Sequence, residues 1–221
     1  MIKYTHTHSR YIFQVLISHK MKFIYCLISK NGCSSILSSI IYHDFEEYRH
    51  HIDTLEDRKI WTHLPFRIKN KIQYLLINPT VQECVEQGYK IFMVLRPSEK
   101  ERLLTTLNHT YNDQWEKMDI NDLTSQIFAD YEQMIDINDN NKSEAHFIPQ
   151  IIYYQKFCDT FGKENIEIVD IKDLQTYFEN TFNKKFIINN VNKTKCIFEE
   201  NLNEKNKELL NYYAKKYELI L

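Results

Sequence analysis

Lys30-Asn31-Gly32-Cys33-Ser34-Ser35 is the segment of this chain best equipped to bind an anion. It follows the apolar run Phe23–Ile28 and precedes a helix-compatible stretch, Ile36–Tyr42. A buried strand, a tight polar turn and a helix start, in that order, leave backbone N–H groups unpaired where the helix dipole favours negative charge. Lys30 adds a full positive charge, and Ser34 and Ser35 add hydroxyl donors. Gly32 is one of only three glycines in 221 residues, so its use in this turn is selective. These residues predict a phosphate cradle; the plainer alternative is a strand–helix turn with a surface lysine. The order differs from a Walker A loop, GxxxxGK[ST], in which the lysine follows the glycines. Mg-dependent nucleotide hydrolysis is therefore not the first chemistry to expect.

A second constellation is Val94-Leu95-Arg96-Pro97-Ser98, followed by Arg102-Leu103-Leu104-Thr105. An arginine at the carboxyl end of a buried strand lies where open α/β sheets bind ligands. Its guanidinium can hold a phosphate through two hydrogen bonds. Thr105 falls about two turns into the following helix and offers a hydroxyl nearby. The alternatives are a structural ion pair for Arg96 and a solvated helix face for Arg102.

The elements that must position these groups follow from hydrophobic periodicity. It predicts strands over 22–28, 60–65, 90–95 and 166–170. Helices are predicted over 34–42, 69–76, 80–87, 99–111, 119–137, 147–157, 171–182 and 201–219, with Gly88 as a C-cap. Strands alternating with helices argue for an α/β fold with a central parallel sheet flanked by helices. The expected organisation is one domain over 21–221, preceded by an appendage or extra edge strand over 1–20.

Composition narrows the classes. Apolar residues make up 43%, including 15 Tyr and 13 Phe, which predicts a packed core rather than disorder. A formal net charge of −2 argues against a general nucleic-acid binder, so any anion site must be local. Five cysteines, an odd number with no CxxC pair and no zinc spacing, point to a reducing, cytoplasmic setting and no metal centre. No apolar run approaches the roughly 20 residues of a membrane span.

Together the two anion-binding segments resemble the sulfotransferase family that uses 3′-phosphoadenosine 5′-phosphosulfate (PAPS), most nearly its carbohydrate branch. That family's first loop reads Pro-Lys-x-x-x-[Ser/Thr]-[Ser/Thr] after a strand, matched by Ser29 to Ser35. Its second motif, Val-Arg-[Asp/Asn]-Pro-x-x-Arg-Leu-x-Ser, is matched by Leu95 to Thr105. Ser29 replaces the proline, the Asp/Asn before Pro97 is missing, and five residues instead of four separate Arg96 from Arg102. Thr62-His63-Leu64-Pro65 resembles the stretch carrying the family's histidine base, and Ala145-His146-Phe147-Ile148-Pro149-Gln150 its His-x-x-Pro-Gln element. Val169–Leu174 and Tyr212–Leu219 resemble its late strand–helix and closing tyrosine-rich helix.

The resemblance implies a P-loop-like three-layer fold and sulfuryl transfer from PAPS to a hydroxyl, that of a carbohydrate acceptor, without a metal. Lys30 would neutralise the oxygen bridging phosphate and sulfate. Asn31, Gly32, Cys33, Ser34 and Ser35 would hold the 5′-phosphate through loop amides and hydroxyls. Arg96 with Thr105, or with Ser98 in its place, would hold the 3′-phosphate. His63 would take the acceptor's proton, its unperturbed pKa being about 6.5. His146 is expected on the acceptor side. Two other readings stay open: a P-loop-type nucleotide or small-molecule kinase, and a non-catalytic glycan- or nucleotide-binding module.

Overall fold

The computed structural model describes residues 13–49, 66–114, 119–137, 144–188 and 198–220. In chain order the elements are β1 (Gln14–Ser18), β2 (Phe23–Cys26), α1 (Cys33–Asp44), α2 (Phe66–Ile72), β3 (Gln73–Leu75), α3 (Pro79–Glu86), β4 (Lys90–Leu95), α4 (Glu99–Gln114), α5 (Ile120–Ala129), α6 (Tyr131–Met134), α7 (Gln150–Phe161), β5 (Ile166–Asp170), α8 (Leu174–Phe182), α9 (Phe198–Asn201) and α10 (Glu204–Lys216). The protein is α/β, with a mixed sheet in the order β3-β1-β2-β4-β5 and helices flanking it. The strand expected over 60–65, and His63 with it, lies outside the described residues. Among the described residues no helix is long and apolar enough to cross a membrane.

The chain divides into two compact units. A sheet unit comprises Phe13–Leu95 with Gln155–Lys193, and a helical unit comprises Arg96–Tyr154 with Thr194–Leu221. Each has its own apolar core.

In the sheet unit β2, β4 and β5 run parallel, with Tyr25 opposite Phe92 and Met93 opposite Ile168. β1 is antiparallel to both its neighbours, with Leu16 opposite Tyr25 and Val15 opposite Tyr74. The expected central parallel sheet is thus corrected to a mixed one. The link over 19–22 between β1 and β2 is far shorter than the dozen or so residues of a parallel crossover. The extra edge strand expected within 1–20 is instead an interior one. Gln14–Ser18 lies between β3 and β2, and Val15, Leu16 and Ile17 are wholly buried; residues 1–12 lie outside the described residues. An unbroken apolar run is what an interior strand needs, because both of its faces are covered.

Alternation along the strands sends Leu16, Phe23, Tyr25, Phe92, Val94 and Val169 to one face, against Ile36, Leu37 and Ile40 of α1 and Leu174 and Phe178 of α8. Phe23 meets Phe92 and Phe178 with ring centroids 5.4 and 5.9 Å apart. Each buried side chain of this size stabilises by about 1.5–3 kcal/mol. Gly88 ends α3 as expected: at φ 73 it lets the Tyr89 and Gly88 amides reach the Cys84 and Val85 carbonyls, a Schellman closure. The helix expected over 69–76 stops at Ile72, because Gln73–Leu75 pairs with β1 as the sheet's edge.

The helical unit packs α4, α5 and α10 around Leu103, Leu107, Leu123, Ile127, Tyr131, Leu210 and Tyr213. Asp119 caps α5, accepting from the Asn121 and Asp122 amides. The helix expected over 119–137 breaks at Asp130 into α5 and α6.

At the β4–β5 side of the sheet, Glu167 accepts from Lys90 Nζ and from the Tyr177 hydroxyl, each at 2.6 Å. Partial burial pushes the carboxyl up, but these two donors outweigh it and hold its pKa below the ordinary value. A depressed folded pKa adds stability above the unfolded value of about 4.3, and that stability fades as pH falls through the folded pKa. With both partners half exposed the gain is about 0.5 kcal/mol. Glu167→Gln should lower urea stability slightly at pH 7, and the difference from the wild type should shrink as pH falls through the folded pKa; a difference that stays constant into acid would count against this ion pair.

Candidate functional site

The Lys30–Ser35 loop begins where β2 leaves the sheet. The Asn31 amide closes a turn onto the Ile28 carbonyl at 3.2 Å, with Lys30 in the turn at φ 67. A non-glycine residue in the left-handed region is uncommon and persists only where its surroundings over-determine it. They do so here. Tyr25, wholly buried under the loop, donates its hydroxyl to the Asn31 carbonyl at 2.9 Å. Burial raises the Tyr25 phenol well above its ordinary pKa, so it remains a donor. Asn31, also wholly buried, donates its side-chain Nδ2 to the Val94 carbonyl on β4 at 2.8 Å.

Gly32 then opens α1 in the left-handed conformation, φ 80 and ψ 8. The torsion requires glycine, and a Cβ there would also lie 2.8 Å from the far end of the Leu174 side chain, at Cδ2. The first intrahelical bond runs from the Ile36 amide to the Gly32 carbonyl. The amides of Cys33, Ser34 and Ser35 therefore precede it, at the positive end of the dipole. Lys30, Cys33, Ser34 and Ser35 are each partly exposed. The loop residues thus divide: Lys30 and the residues from Cys33 to Ser35 stand at the surface, whereas the Asn31 side chain is committed to tying the loop to β4.

Arg96, Ser98, Thr105 and His146 share the helical unit. Arg96 directly follows β4, and its backbone is held at both polar atoms by one side chain. Gln150 Oε1 accepts from the Arg96 amide at 3.1 Å, and Gln150 Nε2 donates to the Arg96 carbonyl at 3.2 Å. Ser98 Oγ accepts from the Glu101 amide at 3.2 Å, capping α4. Thr105 donates its hydroxyl to the Glu101 carbonyl at 2.8 Å.

Arg102 is not on a solvated helix face. It is wholly buried, with Nε 2.7 Å and Nη2 2.6 Å from Glu99 Oε1, a carboxylate that is itself wholly buried. Its remaining donors reach the His146 carbonyl at 2.9 Å and the Phe147 carbonyl at 3.0 Å. Burial pushes the Glu99 carboxyl up against the opposing pull of Arg102, while the arginine stays charged beside it. This arginine holds the fold and not a ligand.

His146 is oriented by the same turn. Its Nδ1 is 2.8 Å from Glu144 Oε1, which also accepts from the His146 amide at 3.3 Å. The ring is 34% exposed and lies 5.8 Å from the His109 ring. A carboxylate on Nδ1 fixes the tautomer and ring angle of a histidine.

Reading the sequence missed Tyr25, Glu99, Glu144 and Gln150 as positioning groups. Gln150 closes the His146–Gln150 stretch singled out in the sequence, and Glu99 and Arg102 show the i,i+3 spacing of a helical pair, yet nothing in either pattern says what is clamped. No family model, curated protein or solved structure matches the chain.

Proposed function

We propose that this protein is a PAPS-dependent sulfotransferase on a P-loop-like α/β scaffold, transferring a sulfuryl group to a hydroxyl of a carbohydrate. The observation that carries the reading is the Lys30–Ser35 loop: a lysine in a left-handed turn, directly before a helix N-terminus, at the carboxyl end of a buried parallel strand. Ligands of open α/β sheets sit at such strand ends. The donor set, one cation with three first-turn amides and two serine hydroxyls, fits a nucleotide phosphate.

In this reading Lys30 neutralises charge on the phosphate oxygen as its bond to sulfur breaks, and the new bond forms to the acceptor oxygen. Arg96 holds the 3′-phosphate. Ser98 is its better partner, because Thr105 already gives its proton to the Glu101 carbonyl. The hydroxyl proton of the acceptor passes to His63, and His146 serves the acceptor side.

Thermal shift tests the reading directly. A ligand at 100 times its Kd stabilises by about 2.7 kcal/mol. The melting temperature should rise with 3′-phosphoadenosine 5′-phosphate and not with Mg-ATP; the reverse result would replace the proposal with a kinase. Lys30→Ala should cut sulfuryl transfer about 10²–10³-fold. Bisphosphate binding without transfer to any hydroxyl acceptor would leave a binding module.

A further inference from the structure

We infer that Gln150 is the positioning residue for Arg96, and that through it the protein distinguishes a 3′-phosphorylated nucleotide from its 5′-monophosphate. The inference rests on the proposed role of Arg96 as the 3′-phosphate ligand.

Arg96 stands one residue beyond β4, where the strand's own hydrogen-bonded ladder has ended at Leu95 opposite Asp170. Gln150 supplies what a neighbouring strand would have supplied: one acceptor for the Arg96 amide and one donor for its carbonyl, from a side chain only 2% exposed. Pro97 follows, and a residue before proline is already restricted to extended conformations. The backbone from which the guanidinium projects is therefore fixed on both sides.

The clamp is itself held. The Gln150 amide donates to Glu99 Oε2 at 3.2 Å, and Glu99 is paired with Arg102. Arg102 in turn holds the His146 and Phe147 carbonyls of the turn that leads into α7. Every member of this network belongs to the helical unit, as Arg96 does.

A buried primary amide costs free energy unless its groups are paired, and an apolar side chain of similar size fills the same volume without that cost. What only the amide provides is a fixed carbon frame for Arg96. An arginine reaching a phosphate from a displaced Cα loses its two-bond geometry, and misplacement by about 1 Å costs up to roughly 10²-fold in well-oriented sites.

The test is titration calorimetry on the full chain, with 3′-phosphoadenosine 5′-phosphate and with adenosine 5′-monophosphate. Wild type should prefer the bisphosphate. Gln150→Met should lose about tenfold in bisphosphate affinity and retain its monophosphate affinity, so that the preference collapses. Gln150→Glu keeps the acceptor for the Arg96 amide but not the donor, and should fall between; it decides the matter if the methionine variant does not fold. Equal losses for both nucleotides, or an unchanged preference, overturn the role of Gln150 while the proposed function stands. A wild type without bisphosphate preference overturns that reading of Arg96 and this inference together.

Discussion

Arg102→Met should destabilise the protein by about 3–5 kcal/mol, the loss expected when one partner of a buried ion pair is removed. The substitution keeps much of the side-chain volume, so little of the loss comes from a cavity. It comes from what stays behind: the Glu99 carboxylate, wholly buried beside the Gln150 amide, and the His146 and Phe147 carbonyls, which lose the guanidinium and keep only the hydroxyls of Thr106 and Tyr131 as donors. Glu99 without the guanidinium must take up a proton or draw in water, and the charged hydrogen bond lost at each carbonyl costs a further increment. The double variant Glu99→Met/Arg102→Met removes the stranded charge. It should recover part of the loss but not all of it, because the Gln150 amide loses the Glu99 acceptor and the two carbonyls lose their charged donor. Urea midpoints of wild type, both single variants and the double variant give the coupling energy. A cost below about 1 kcal/mol for Arg102→Met would mean that the pair is not what holds this turn.

That pair also marks where the sequence stops being legible. Lys90–Leu95 and Ile166–Asp170 form strands with the bounds that periodicity predicts, because an apolar run flanked by breakers is a local signal. The same holds for Gly88 and for the strand–turn–helix order around Lys30. What fails is what depends on partners far along the chain. β3 is a strand only because β1 pairs with it across some sixty residues. β1 reads as an appendage or an extra edge strand until its two neighbours are known. Arg102 looks solvated because charged residues on helices mostly are, and its burial is decided by carbonyls 44 and 45 residues away. The candidate site divides the same way. Lys30, Ser34 and Ser35 follow from types and spacing, whereas Asn31 turns from a ligand candidate into a tie to β4 only once Val94 is seen beneath it.

Substitution at Gly32 should separate the loop's torsion from its packing. In Gly32→Ala the new Cβ meets a φ of 80, which costs about 1–2 kcal/mol for an L-residue. It also meets Leu174 Cδ2 at 2.8 Å, the far end of a side chain that can turn aside at small cost. Alanine should therefore lose about 1–2 kcal/mol in all. Gly32→Val adds a branched side chain against the same leucine, where overpacking costs a further 1–3 kcal/mol or so. Leu174→Ala in the valine background should return only that second part. The torsional part should persist and show itself at the loop, because relieving it requires Lys30 and the first turn of α1 to shift. The phosphate binding proposed for the loop should then fall in both glycine variants, with or without the leucine change. Full rescue of stability and of nucleotide binding by Leu174→Ala would show that space, and not the left-handed torsion, makes this position glycine.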